Sequence, residues 1–501
     1  MKRIYRILMI ASVVSLASCN LDLYPETGYN EGNVNVEEST ESQYNTREDM
    51  KGLRDAIYQS WAKGVQEYGY QDFLIYSECR ADNAYCGTNT AEIMNIEANK
   101  QDGSNPNVER DWGYYLQQMS NANNIILNVD RVMQQDPTLT QAEANEWSAE
   151  ARCWKAWALF QMSRLWGPVP VINTIPPAIT SENVEEVYFE YFPPQETLET
   201  VYTQLVEDLT FAIQYAPDVD PSDKFKFTKA FAKGLLARIY AEAPIRDWNK
   251  VAELCTSIEN DYGFELCEDY GEMWSYDEND AIRNTKESIF EVQWTKASGN
   301  WVWMMFHRNA YSPADSYTWA KWVTPSRNLI KAYDKAGDTE RKNASIIIDA
   351  CPWSNYYPAE EYAFMHKVPT NASSIILMRL GEIKLLHAEA LACTGDLAGA
   401  TALVNEIRER AGINPIQQPA SQEDMITAVL DERRLELAFE GHRFFDLVRH
   451  GLDRAKAVHD SMNAEDSYWL PRFPLSEDTI LMPVPQSALE DNPTLVQNPG
   501  Y

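Results

Sequence analysis

Apolar residues recur at three- and four-residue spacing along most of this chain, and long alternating runs are rare. That period belongs to helices with one buried stripe. From Asn45 to about Gln66 the stripe is Met50, Leu53, Ile57 and Trp61. Over 109–135 it is Tyr115, Met119, Ala122, Ile126, Val129 and Met133, and over 141–166 it is Trp147, Ala151, Trp154, Ala158 and Met162. Trp166-Gly167-Pro168-Val169-Pro170 ends that helix, because proline lacks the N–H a helix needs and biases the residue before it to an extended form. Residues 195–215 and 228–243 read as a further pair, and 247–260 as a helix after Pro244. Regular helices resume at 374–393, 396–411 and 422–449.

The stretch 262–373 is different: long, aromatic and weakly periodic. Loops above about 15 residues inside a domain are functional or disordered, and this one holds too many aromatics for disorder. The pair 374–393 and 396–411 is joined by Thr394-Gly395-Asp396 and carries alanine at 388, 390, 392, 398, 400 and 402, which lets two helices approach closely. It resembles a tetratricopeptide helix pair with a degenerate repeat pattern. The expected fold is mainly α, a tetratricopeptide-like helical scaffold with long irregular aromatic-rich loops.

The first residues change the picture. Lys2, Arg3 and Arg6 precede a short apolar run, Ile7 to Leu16, which falls short of the roughly 20 residues that span a bilayer. This reads as a secretion signal. It ends Leu16-Ala17-Ser18-Cys19, a pattern that resembles the bacterial lipobox, with Cys19 as the lipidated residue. Two or three acyl chains on one cysteine hold a protein to a membrane where a single chain holds it only marginally. The expected organisation is therefore a signal at 1–18, a lipid anchor and tether at 19–44, an N-terminal helical region at 45–261, a loop-rich ligand-binding region at 262–373 and a C-terminal region at 374–501.

The formal net charge is −32, and removing residues 1–18 takes away three positive charges and no acid, leaving −35. Such a surface argues against nucleic acid, whose phosphates need a basic footprint. Cys79 and Cys86 are near enough in sequence to be bridged in an exported protein, as are Cys255 and Cys267; small buried thiols are the alternative. No Cys-x-x-Cys or His-Glu-x-x-His appears, so zinc has little support. Asp218, Asp220, Asp223 and Asp277-Glu278-Asn279-Asp280 offer oxygens for Ca²⁺ without EF-hand spacing, so no cofactor is expected.

Five separated segments resemble the SusD/RagB family, in the family's order. They are the lipobox with Leu21-Asp22 and Pro25; Ala151-Arg152 through Pro170; Thr228-Lys229-Ala230 through Tyr240; Arg379-Leu380-Gly381-Glu382-Ile383 with Ala388-Glu389-Ala390 and then Val404 through Gly412; and Glu432 through Arg449. The closing Pro483-Val484-Pro485-Gln486 and Gln497-Asn498-Pro499-Gly500-Tyr501 are similar to the family's C-terminal signature, and His450 stands where members often have Trp. The resemblance implies a lipid-anchored, outward-facing outer-membrane protein. It would bind an oligosaccharide or polysaccharide, act as no enzyme, and sit over a TonB-dependent barrel of the SusC type.

The charged residues between Glu432 and Arg449 suit ion pairs along a helix at i, i+3 and i+4 spacing, not a catalytic cluster. The richest aromatic stretch is 294–322, which holds five of the 15 tryptophans and so marks the middle region as the place for a ligand with an apolar face. Trp294, Trp301, Trp303, Tyr311 and Trp319 are the candidates there, since an aromatic ring covers the C–H face of a sugar while polar side chains bond its rim. Arg80, Asp82, Asn83 and Tyr85 in an early loop are the polar candidates, with a plain surface turn as their alternative. A helical glycosidase using two carboxylates is the rival function, and a peptide- or protein-binding scaffold is the third.

Overall fold

The computed structural model describes residues 44–87, 90–177, 179–276, 280–307, 321–351, 357–465 and 472–501. Residues 44–175 and 189–501 fall in one compact unit, and the described part of a second unit is 176–188. Among the described residues, no helix is long and apolar enough to cross a membrane.

Most of the predicted helices form and begin at a capping residue; the one expected from 374 starts only at Leu380, without a side-chain cap, because Ile375–Arg379 is a buried strand. Helix α1 (Arg47–Gly64) starts at Thr46, whose hydroxyl accepts from the Asp49 N–H while the Asp49 carboxylate accepts from the Thr46 N–H. Helix α2 (Pro106–Ile126) is capped by Asn105, and α3 (Gln141–Trp166) by Thr140 with Glu143. Helices α4 (Leu198–Tyr215), α5 (Lys229–Ala241) and α6 (Trp248–Asp261) follow, then α7 (Leu380–Thr394) and α8 (Leu397–Arg410). Each packs on the next, in a continuous row from α2 through α8. Helix α3 is buried on nearly every face, with Trp154, Trp157 and Trp166 fully enclosed, so it carries apolar residues all round. It stops at Gly167, whose φ of +75° a side chain would resist.

The middle of the chain is less irregular than expected. Strand β1 (Ala84–Cys86) pairs antiparallel with β3 (Val323–Pro325), β2 (Ser288–Val292) with β6 (Ile375–Arg379), and β4 (Ile346–Asp349) with β5 (Tyr362–Met365). These strands are short, and β1, β2, β3 and β5 are buried throughout, so none shows the alternation that reveals a strand. The expected helix over 422–449 is also broken, into α9 (Gln422–Glu436) and α10 (Arg443–Arg449), with α11 (Leu452–Glu465) after it. Phe439 and Gly441 take φ of +66° and +85° at the break. The buried carboxylate of Glu78 accepts from the N–H groups of Phe439, Gly441 and His442 at 3.3, 3.0 and 3.1 Å, replacing the helical bonds lost there.

The charged residues of this region are structural, but most of their partners lie on other elements. Glu436 meets Arg341, Arg379 and Arg410, and Glu440 meets Arg379 and Lys367. Arg443 reaches Asp82, Arg449 reaches Glu389, and only Arg449–Asp446 is a pair along one helix of the expected kind. Burial alone would raise the Glu436 carboxyl; Arg410, Arg379 and Arg341 hold it well below the usual carboxylate range.

The C-terminal segment packs on α3. The Met482 N–H donates to the Leu165 carbonyl, Trp166 Nε1 to the Pro483 carbonyl, and Asn498 Nδ2 to the Trp166 carbonyl. Of the two readings left open for the cysteines, buried thiols hold: Cys79, Cys255 and Cys267 are free and buried, as small apolar residues in a core.

Candidate functional site

Past Gly64 the backbone of α1 widens into a π-helix over Val65–Gln71 and again over Ile75–Cys79. Such turns insert an extra residue, re-aim the side chains around them, and are frequent at functional sites. In this one Gln66 and Tyr70 turn inward and Tyr68 stays half-buried. The Tyr68 ring lies on Tyr114, with centroids 4.6 Å apart, and under the Arg110 guanidinium at 5.0 Å.

The aromatic stretch of the middle region meets this π-helix. The Trp301 N–H donates to Gln66 Oε1 at 2.9 Å, and Phe306 packs edge-on against Tyr70 at 6.0 Å. Asn300 fixes the turn: its Nδ2 donates to the carbonyls of Thr370, Asn371 and Ser373 at 3.2, 3.1 and 2.9 Å, and its Oδ1 accepts from the Trp303 N–H at 3.1 Å. Val302–Met305 then forms one 3₁₀ turn. Trp303 points into the core at 8% exposure, while Trp301 stands half-buried at the surface. The chain returns at Trp322, whose N–H donates to the Met305 carbonyl at 2.7 Å. Trp322 is half-buried, and its indole Nε1 is enclosed without a partner among the described residues. Trp301 and Trp322, both partly exposed, are thus held by backbone hydrogen bonds, Trp301 to the π-helix that carries the partly exposed Tyr68 and Trp322 to the turn that follows Trp301.

Below Tyr68 lies an acid pair. Arg110 bonds both Glu67 and Asp72. Burial pushes the Asp72 carboxyl up to about 6 even beside Arg110, and it also pushes Asp111 well above the usual carboxylate range, with the charge of Asp72 adding to it. Tyr76 donates to Asp111 Oδ2 at 2.7 Å. Both acids are at most 1% exposed, so they hold the platform from beneath and do not reach a ligand on its surface.

The remaining sequence candidates fall as follows. Trp294 is buried at 7% exposure. Tyr311 and Trp319 lie outside the described residues, as do Cys19 and Asp277-Glu278-Asn279. The early loop is not a surface turn. Arg80 donates to Asn99 and to the carbonyls of Thr479 and Ile480, and Asn83 bridges Glu78 and Arg434. The Tyr85 hydroxyl accepts from the Arg327 N–H, and Asp82 lies between Arg434 and Arg443. Their polar atoms are occupied inside the fold, since burying them without partners would be costly. Sequence reasoning missed Gln66, Asn300 and Arg110, which carry no motif; the π-helix, invisible in periodicity, brings Gln66 to Trp301 and Tyr68 under Arg110 of α2. Asp218 pairs with Lys229, and Asp220 and Asp223 accept from nearby Ser222 and Phe225 N–H groups. Among the described residues, no group of three or more His, Cys, Asp or Glu is placed to hold a metal.

Residues 353–501 match the model of the SusD family, and residues 35–241 match a second model described as starch-binding associating with outer membrane. A SusD-like protein of Bacteroides ovatus is 23% identical over 492 residues, covering 88% of this chain and 82% of its own. A SusD homologue of Bacteroides thetaiotaomicron superposes with a TM-score of 0.74 at 19% identity, over 94% of this chain and 100% of that one. A laminarin-binding SusD-like protein superposes with a TM-score of 0.69 at 22% identity, over 91% of this chain and 100% of that one. The tetratricopeptide-like helical fold expected from periodicity is the fold of these neighbours. With the two models matching its N-terminal and C-terminal parts and similar proteins running along most of its length, the chain belongs to the SusD/RagB family of carbohydrate-binding proteins.

Proposed function

We propose that this protein captures a glycan at the cell surface and delivers it to a SusC-like TonB-dependent outer-membrane transporter. The observation that carries the reading is the set of partly exposed rings, Trp301 and Trp322 on a hydrogen-bonded backbone and Tyr68 on the π-helix that Trp301 bonds. A sugar offers an apolar C–H face ringed by hydroxyls, and rigid, partly exposed rings bind that face at low entropic cost. The family description as starch-binding and the laminarin-binding neighbour support the ligand class. Tyr311 and Trp319 lie in the same aromatic stretch of the sequence, 294–322, and in this reading they add further stacking contacts.

Lipid on Cys19 would hold the protein to the outer membrane, and the barrel would receive the oligosaccharide with no bond made or broken. The acid pair Asp72 and Asp111, with raised carboxyls, is buried beneath Tyr68 and out of reach of a ligand on its surface, which favours capture over hydrolysis. The reading calls on no cofactor.

The test is retardation of residues 20–501 in native gels containing a panel of polysaccharides, with Trp301→Ala and Trp303→Ala alongside. One glycan should retard the protein, and Trp301→Ala should abolish the retardation while leaving the fold intact. Trp303→Ala is a core truncation and should lower stability more than binding. Hydrolysis of the polysaccharide, or retardation indifferent to Trp301→Ala, would refute the proposal.

A further inference from the structure

A cavity of about 360 Å³ opens among α9, α10 and α11, and none of its lining residues is Tyr68, Trp301 or Trp322. Its floor is an ion-paired plate. Arg443 gives Nε and Nη2 to the Asp82 carboxylate at 2.8 and 3.1 Å and Nη1 to the Leu430 carbonyl at 3.0 Å. A guanidinium has five N–H donors, so Arg443 keeps two beyond these bonds. Arg434 completes the plate through Asn83, Asn328 and the Asp82 carbonyl.

Leu447, Val458 and Met462 make one wall, and Asp431 and Arg454 stand at the rim. The Asp431 carboxylate makes no hydrogen bond among the described residues, so both its oxygens are open to a donor. Arg454 is already paired with Glu423. The lining carries three arginines and two acids, Asp82 and Asp431, and Arg454 has its partner Glu423 outside the cavity, so the charges are offset and a neutral ligand fits better than an anion.

An open carboxylate, spare guanidinium donors and an apolar wall within one small volume match a pyranose. Its hydroxyls donate and accept at once, and one of its faces is C–H. Pockets for small ligands run from about 300 to 1,000 Å³, so this one sits at the low end and takes one or two rings, not a long stretch of polymer. We propose that the cavity is a second carbohydrate subsite, for a short neutral saccharide such as a chain end. The inference rests on the glycan reading for its ligand class.

The test is calorimetric titration of the full-length protein with neutral disaccharides of glucose, mannose, galactose and xylose. Wild type, Asp431→Ala, Ala457→Trp and Trp301→Ala are compared, with melting curves as the check on folding. Ala457 is an exposed cavity residue, so its indole should cover the opening without disturbing the core. At least one disaccharide should bind wild type and Trp301→Ala alike and bind the two cavity variants at least tenfold more weakly. Asp431→Ala still decides the matter if Ala457→Trp fails to fold. Disaccharide binding indifferent to both cavity changes, or no disaccharide binding while polysaccharide is still retained through Trp301, overturns the subsite and leaves the glycan reading standing. Loss of polysaccharide retention in the wild type as well takes down both.

Discussion

Arg379 gives the sharpest test of how the C-terminal signature works. Its guanidinium is fully buried and donates to Glu287 at 2.7 Å, Glu436 at 2.6 Å, Glu440 at 2.8 and 2.9 Å, and the Glu436 carbonyl at 2.8 Å. Arg379→Met keeps an unbranched apolar side chain and removes only the charge and its bonds. Taking one partner from a buried ion pair costs about 3–5 kcal/mol, because the remaining charge is left desolvated. The lower end applies here. Glu436 keeps Arg341 and Arg410, and Glu440 keeps Lys367. In urea, with a slope of about 3 kcal/mol per molar, a loss of about 3 kcal/mol lowers the midpoint by about 1 M. Lys286→Ala is the control. It breaks a pair with Glu265 at 3.3 Å whose side chains are 41% and 70% exposed. Such a pair contributes about 0–1 kcal/mol, so the midpoint moves by at most about 0.3 M. If Arg379→Met moves the midpoint no further than Lys286→Ala does, the network is not what joins β6 to the helix break, and the reasoning fails.

Two further outcomes follow from the same region. Gly441→Ala puts a Cβ at a φ of +85° and 3.0 Å from the Phe73 ring, so it should cost about 1–2 kcal/mol from the backbone alone and lower the melting temperature by about 1–2 °C; an unchanged melt would show that the break tolerates a side chain. Glu97 is pushed up to about 8 by burial, against the opposing charge of Arg472. Its folded pKa lies above the unfolded value of about 4.3, so the folded state binds this proton more tightly and stability falls as pH rises between those values. Glu97→Gln can still accept from the Cys86 N–H, and the variant should lose less stability than wild type between pH 5 and pH 9. Parallel melting profiles would contradict this.

The helices were legible because a helix is a local object. Thr46, Asn105 and Thr140 cap helices whose stripes repeat every three or four residues, and that information lies within a few turns of chain. The family resemblance was legible for a related reason: each of its separated segments is itself a continuous run, as Glu432 to Arg449 is. The structural role of that last run could be read from charge spacing, but its partners could not, because Arg443 meets Asp82 from 361 residues away and Glu436 meets Arg379 from 57. The same ignorance made residues 80–85 look like a free polar loop.

The site shows the limit most clearly. Trp301 and Trp303 are two residues apart and chemically identical, and nothing in the sequence separates them. Asn300, tied to the 370–373 turn, decides that one faces solvent and the other the core. By itself, then, the sequence determined the secretion-signal pattern, the acidic surface charge, the helical scaffold and the family. Only the tertiary structure decided which rings are exposed, which charges are spent inside, and where a cavity remains. Periodicity and capping act over a few residues, whereas burial and charge pairing are set by whatever distant segment the fold brings alongside.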